Sequence, residues 1–395
     1  MLLGLFILII TIIGFFVPKR QQKKYYIAIA FLLGVILMFY NPPETDDLYR
    51  YYKMFDIVKN KSFSDCISLN FGVSDWYYKY MLSDLMQNSR IFMLIIFIIS
   101  RTGIRQLVPF FFCICTYVPL FILVDKISHK YEYRKIACNI GYMLVLFCID
   151  FRFVTCLRNL MAYSIFALLL YDDMNTNSKK RKVLIFIGYV LLCEIHMSCT
   201  VLLVIRLLIL IFKNKLKNYI CIAFLFLGTF INLIVFVLQN YLGGFSYTVR
   251  LAQRITDYYI GRTEYNINGA VFFIVSILIE LIIVFFCYRI ERKKIDQKYC
   301  SNANYFYYVT FFTLGSINQY DVLTRNVEII SILLLPYIMS FYNECVFAKK
   351  GCICIISSNK AAFYRFVVFA LSILLLISSL LFYTNFSYVP MQKGF

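Results

Sequence analysis

The sequence predicts an all-α polytopic integral membrane protein. It has about twelve transmembrane helices and an amphipathic helix on the outer face. Three observations lead there. Of 395 residues, 61% are hydrophobic and 15% charged, and the mean hydropathy is +0.73. Apolar runs of spanning length recur from end to end. The basic residues gather in short stretches between those runs, where membrane topology places them. No polar block is large enough for a separate soluble domain, so residues 1–395 read as a single polytopic domain.

The net charge of +19 would point to nucleic acid in a soluble protein. Here it belongs to the loops, and no nucleic-acid partner is expected; the lipid bilayer is. The fourteen cysteines are scattered through apolar segments without CxxC or metal-ligand spacing. Neither a disulfide framework nor a metal site is expected. Met1 to Val17 lacks a basic leading region and a small-residue cleavage site, and Lys19-Arg20 follows it. It reads as the first span rather than as a signal peptide.

The expected spans are 2–17, 25–40, 106–124, 136–150, 156–171, 183–195, 198–212, 219–239, 269–288, 303–320, 327–347 and 361–384. Orientation follows from the basic loops. Lys19-Arg20…Lys23-Lys24, Lys179-Lys180-Arg181-Lys182, Lys213…Lys217, Arg292-Lys293-Lys294 and Lys349-Lys350 are expected on the cytoplasmic side. Between any two of them the chain must cross an even number of times. Ile91–Ser100 therefore does not cross, and Trp76 to Ser100 is expected as an amphipathic or re-entrant outer helix. Val183 to Phe212 must be a hairpin of two short segments, its tip near Glu194-Ile-His196-Met-Ser198, in a recess between neighbouring helices. His129 falls in an expected cytoplasmic loop. Both termini and the loops 41–105 and 240–268 then lie outside, with most of the remaining polar chemistry.

Four constellations carry that chemistry. After Pro42 and Pro43 come Thr45, a good N-cap, and Asp46 and Asp47, which suit a first helical turn. Arg50 lies three residues after Asp47, on one face. The pattern fits a local ion pair, or a carboxylate tuned by burial to act as a general base. Arg158 and Asn159 open an otherwise apolar helix. Arg158 either snorkels to headgroups or offers its planar fork to a phosphate. His196 sits with Ser198 at the hairpin tip, as a hydrogen-bonding partner of a neighbouring helix, a proton acceptor, or a donor to a substrate oxygen. Arg325 in Asp321-Val-Leu-Thr-Arg325-Asn-Val-Glu328 again starts an apolar helix, which Pro336 kinks further in. Arg250, Arg254 and Arg262 lie among tyrosines in the outer loop, fit for an interface belt or for a sugar-bearing anionic headgroup.

Asp47-Leu-Tyr-Arg50-Tyr-Tyr, Arg158-Asn-Leu-Met-Ala162, Ile195-His196-Met-Ser198 and the stretch Arg325 to Pro336 together resemble the EpsG family, Wzy-like polymerases of bacterial exopolysaccharide and capsule. The resemblance covers about residues 1–350. Met197 departs from it, since the family often has proline or another residue there. The resemblance implies a GT-C-like fold in the bacterial cytoplasmic membrane, with its active site facing outside. The implied substrates are oligosaccharide repeat units on undecaprenyl diphosphate. The implied reaction moves the growing glycan onto the next lipid-linked unit, with the lipid diphosphate as leaving group. In that chemistry Asp47, or Asp46 beside it, is the candidate base. Arg158 and Arg325 hold the diphosphate, with Arg50, Asn159, Ser198 and Arg254 as further substrate contacts. His196 orients a sugar or takes the role of base. No cofactor, metal or nucleotide sugar is implied; a flippase and a chain-length regulator of the same pathway are the implied protein partners.

Three rival readings remain. A glycan ligase, or a glycosyltransferase using a polyprenyl monophosphate sugar, shares the same lipid. A repeat-unit flippase would show internal repeats and charges on both sides of a cavity. A membrane acyltransferase would need a cytoplasm-accessible histidine.

Overall fold

The computed structural model describes residues 2–42, 44, 47–68, 89–130, 135–148, 153–212, 217–227, 236, 240, 267–291, 297–316, 320–341, 367, 368, 370, 371 and 374. Among them the fold is all-α, with no strand. In chain order the helices are α1 (Leu2–Phe16), α2 (Lys19–Met38), α3 (Asp47–Val58), α4 (Phe63–Ile67), α5 (Arg90–Ser100), α6 (Leu107–Lys130) and α7 (Lys135–Cys148). They continue as α8 (Phe153–Asn175), α9 (Lys179–Cys193), α10 (Ser198–Phe212), α11 (Lys217–Leu225), α12 (Ile267–Glu291), α13 (Gln297–Gly315) and α14 (Tyr320–Phe341).

The chain divides into two compact units. One holds Met1–Leu203, Leu335–Ser358 and Ser372–Phe395; the other holds Val204–Leu334 and Asn359–Leu371. In the first, α6 is the central helix, packing against α2, α7, α8, α3 and α5. It is also the one described helix long and apolar enough by itself to cross a bilayer, over Leu107–His129. In the second, α13 packs on α11 and on α12.

A buried polar knot ties α1, α2 and α7. The Tyr26 hydroxyl donates to Asn139 Oδ1 at 2.6 Å, and Gln22 Nε2 donates to the Gly14 carbonyl at 3.3 Å. Gly14 is required there, because a Cβ at that position would stand 2.7 Å from Asn139 Oδ1. Tyr26 stacks on Tyr142 with ring centroids 4.3 Å apart.

One end of this unit is ionic. Asp125 of α6 takes Lys23 of α2 at 3.0 Å and His129 at 3.3 Å. Asp172 of α8 takes Lys126 of α6 at 2.6 Å and Arg181 of α9 at 3.0 Å. The basic N-termini of α2 and α9 thus meet the C-terminal turns of α6 and α8. These are helix ends that the parity of crossings assigns to one side.

Several faces stay apolar and exposed. On α9, Leu184, Ile187 and Leu191 recur at helical spacing and are 68%, 50% and 49% exposed. Exposed apolar stripes of this kind are what a soluble surface avoids.

Where the helices differ from expectation, the reason is local. The expected helix Trp76–Ser100 is not continuous, because Ser89 is non-helical (φ −146°, ψ 54°) and α5 starts at Arg90; residues 76–88 lie outside the described part. The expected span 219–239 does not run unbroken, since α11 ends at Leu225 and Phe226 turns. The helix expected to begin at Arg325 begins five residues earlier, at Tyr320. Most of 361–384 lies outside the described residues.

Candidate functional site

At the end of the first unit away from the ionic layer, α8 meets the tip between α9 and α10. Two helices of 15 residues, α9 and α10, are joined there by Glu194–Met197, where the tip of the hairpin was expected. The Leu192 carbonyl accepts from the N–H groups of Ile195 and His196, at 3.0 and 2.9 Å, which closes the C-terminal end of α9. His196 then turns its ring onto the start of α10. Its Nδ1 lies 2.6 Å from Ser198 Oγ and accepts from the Ser198 backbone N–H at 3.2 Å. The Ser198 hydroxyl donates to Asn159 Oδ1 of α8 at 3.1 Å.

The backbone N–H of Ser198 points at His196 Nδ1, so in the neutral ring Nδ1 carries the lone pair and Nε2 the hydrogen. The Ser198 hydroxyl then has one hydrogen for two acceptors, Nδ1 at 2.6 Å and Asn159 Oδ1 at 3.1 Å. If the Asn159 amide turns over, its NH2 donates to Ser198 and the hydroxyl donates to Nδ1 without competition. In either amide state Nε2 is a donor. Asn159 is 2% exposed, and its Nδ2 has no hydrogen-bond partner among the described residues. The orientation of one buried amide therefore decides which acceptor takes the Ser198 hydrogen.

Arg158, the neighbour of Asn159, is held from the other side. Its Nη1 donates to Ser89 Oγ at 3.1 Å, and its guanidinium carbon lies 5.2 Å from the centroid of the Phe92 ring. Its Nε is buried without a hydrogen-bond partner, and no carboxylate pairs with it among the described residues. A half-buried cation in that state is complementary to an anion.

On α3, Asp47 and Arg50 form the expected i, i+3 pair at 3.3 Å. Both are about one-third exposed or more, so the pair contributes little stability. Tyr51 packs on Phe92 at 5.0 Å, which links the Asp47 face of α3 to the ring that carries Arg158. Next to it Tyr52 has a buried hydroxyl without a hydrogen-bond partner among the described residues, and lies under Arg105 at 5.2 Å. Burial pushes its phenol up to about 12 against the pull of that guanidinium, so it stays neutral. The far end of α3 is clamped by Arg101. Its guanidinium donates to the carbonyls of Lys59 (3.0 Å), Val58 (3.3 Å) and Lys61, and it stacks on Phe97 at 4.0 Å.

The structure thus brings together Arg158, Asn159, His196 and Ser198, and connects Asp47 and Arg50 to them through Tyr51 and Phe92 and through the packing of α3 on α8. Asp46, Arg254 and the side chain of Arg325 lie outside the described residues, as do Arg250 and Arg262. Sequence reasoning missed Ser89 and Phe92. A lone serine and a phenylalanine in an apolar stretch give no signal until the helices pack.

What the fold and this site define is an all-α protein with an arginine, a histidine and two small polar side chains converging at one end of a helical unit. No protein-family model, no curated protein and no solved structure matches the chain.

Proposed function

We propose that this protein is a polytopic membrane polysaccharide polymerase, GT-C-like in fold, acting at the outer face of the bacterial cytoplasmic membrane. It transfers a growing glycan from undecaprenyl diphosphate onto the next lipid-linked repeat unit. The observation that carries the reading is Arg158, a half-buried cation without a carboxylate partner among the described residues, beside the chain His196–Ser198–Asn159.

Depth supports it. Arg158 and Asp172 are fourteen residues apart on α8, about 21 Å at 1.5 Å per residue. With the Asp172 layer at the cytoplasmic interface, Arg158 stops short of the far side of a hydrocarbon core about 30 Å thick. The 15-residue helices α9 and α10 reach about 22 Å and bring His196 to a similar depth. The site is then a recess opening outward, where a lipid-borne phosphate arrives from the side. The exposed apolar faces of α1 and α9 suit contact with lipid.

In this reading Arg158 grips the diphosphate and stabilises the charge that grows on it as the bond breaks. The acceptor hydroxyl gives its proton to Asp47, or to Asp46 beside it. Its oxygen attacks the anomeric carbon, and the bond from that carbon to the phosphate oxygen breaks. The electron pair leaves on undecaprenyl diphosphate. His196 donates from Nε2 to a sugar oxygen. Arg50 and Ser198 complete the contacts to the sugars and headgroup.

The test is reconstitution. Purified protein given lipid-linked repeat units in the presence of a chelator should yield a ladder of polymer. Asp47→Asn, Arg158→Ala and His196→Ala should each abolish the long products at normal protein level. Units moved across vesicles without growth in size would make the protein a transporter instead.

A further inference from the structure

The second unit buries a carboxyl group that the proposed reaction does not use. Glu280 lies on α12, thirteen residues from Ile267 and eleven from Glu291, about 20 and 16 Å from the two helix ends. It is 3% exposed. Its Oε1 accepts from the Ser331 hydroxyl of α14 at 2.6 Å. Its Oε2 is buried, and no hydrogen-bond donor reaches it among the described residues.

One neutral hydroxyl does not offset the burial of a carboxylate; such groups are paired, hydrogen-bonded several times over, or neutralised. Among the described residues no cation pairs with it; the charged residues that this unit buries there are Glu280 itself and Arg206, and the carboxyl's one hydrogen bond among them comes from Ser331. The nearer charge on α14 is Glu328, one turn before Ser331 on the same face and of the same sign as a carboxylate. The helix α13, packed on α12, buries Asn304, Tyr305, Tyr308, Thr310 and Thr313, none of them basic.

We propose that Glu280 and Ser331 form a proton-binding site in the membrane-embedded part of the second unit. The proton occupies Oε2, the oxygen left without a donor, and the serine holds the carboxyl in place. The ligand is a single proton that binds and leaves from the middle of the bilayer. This rests on the reading that α12 spans the membrane, and it goes beyond the polymerase reaction, which needs no such group.

The experiment is carbodiimide labelling of the full-length protein in membranes, with the adduct mapped by peptide mass spectrometry. The carboxyl oxygen bonds the carbodiimide carbon while its proton moves to a carbodiimide nitrogen, so only the protonated acid adds. Dicyclohexylcarbodiimide, which enters lipid, should modify Glu280 at least tenfold faster than a water-soluble carbodiimide, and the rate should fall at strongly alkaline pH. Glu280→Gln should lose the adduct with an unchanged size-exclusion profile; Ser331→Ala should keep it. No adduct on Glu280 in the wild-type chain, or a rate that ignores pH, would overturn the proton site alone. Equal labelling by both reagents would put the carboxyl in water and overturn the membrane reading of α12 together with the site.

Discussion

Asn159 and Ser198 allow a test in which stability and activity move in opposite directions. Among the described residues the Asn159 amide makes one hydrogen bond, from Ser198 at 3.1 Å, and leaves Nδ2 without a partner in a 2% exposed position. Asn159→Leu removes a bond contributing about 1 kcal/mol and an orphaned donor that destabilises by about 1–3 kcal/mol. The net change is between neutral and about 2 kcal/mol stabilising. Ser198→Ala removes the same bond and the contact to His196, and leaves the whole Asn159 amide without a partner, a loss of about 2–4 kcal/mol. The double variant should return close to the wild type, a coupling of about 2–3 kcal/mol, where independent sites would add within about 0.5 kcal/mol. Thermal unfolding in detergent reads this as a midpoint shift of about 2–4 °C per kcal/mol for a unit of this size. Polymer formation should fall about tenfold or more in all three variants, because each breaks the Asn159–Ser198–His196 chain that holds the imidazole. An additive cycle, or Asn159→Leu as the least stable of the three, would refute the argument.

Three further outcomes follow from the same geometry. Arg158→Lys keeps the charge but loses the planar contact with Phe92 and the fork, and the rate should drop about 10–100-fold with the fold intact; a wild-type rate would reduce the site to a point charge. Arg101→Ala should free the segment after α3, seen as about tenfold faster trypsin cleavage at Lys59 and Lys61, which matches a loss of about 1.4 kcal/mol; unchanged cleavage would mean the clamp contributes nothing. Asn41→Cys should react with an impermeant maleimide in intact cells, and Asn177→Cys only after permeabilisation; the reverse pattern would invert the orientation and refute the proposed outer-face reaction.

How much of this was legible in the chain depends on the physics involved. The break at Glu194–Met197 was legible from length and charge, because a thirty-residue apolar stretch with basic residues at both ends reads as two segments rather than one. The polar residues of the site were visible for a related reason: Arg158 and His196 stand where an apolar run makes them expensive. Their juxtaposition was not. Ser198 and Asn159 are 39 residues apart, and whether they touch depends on which face α8 turns to the hairpin. That is a property of side-chain packing, and no local period encodes it. Ser89 shows the limit more sharply. It reaches Arg158 across 69 residues and is available only because the chain leaves helical geometry at that position, so the break that contradicts a continuous helix from Trp76 also supplies the arginine's hydroxyl partner. Glu280 is the converse case. A lone acid near the middle of a long apolar run was in plain view, and its meaning rested on what stood opposite. The structure puts Ser331 there, with no cation among the described residues to pair with it, and that difference separates an ion pair that merely holds two helices from a group that can bind and release a proton.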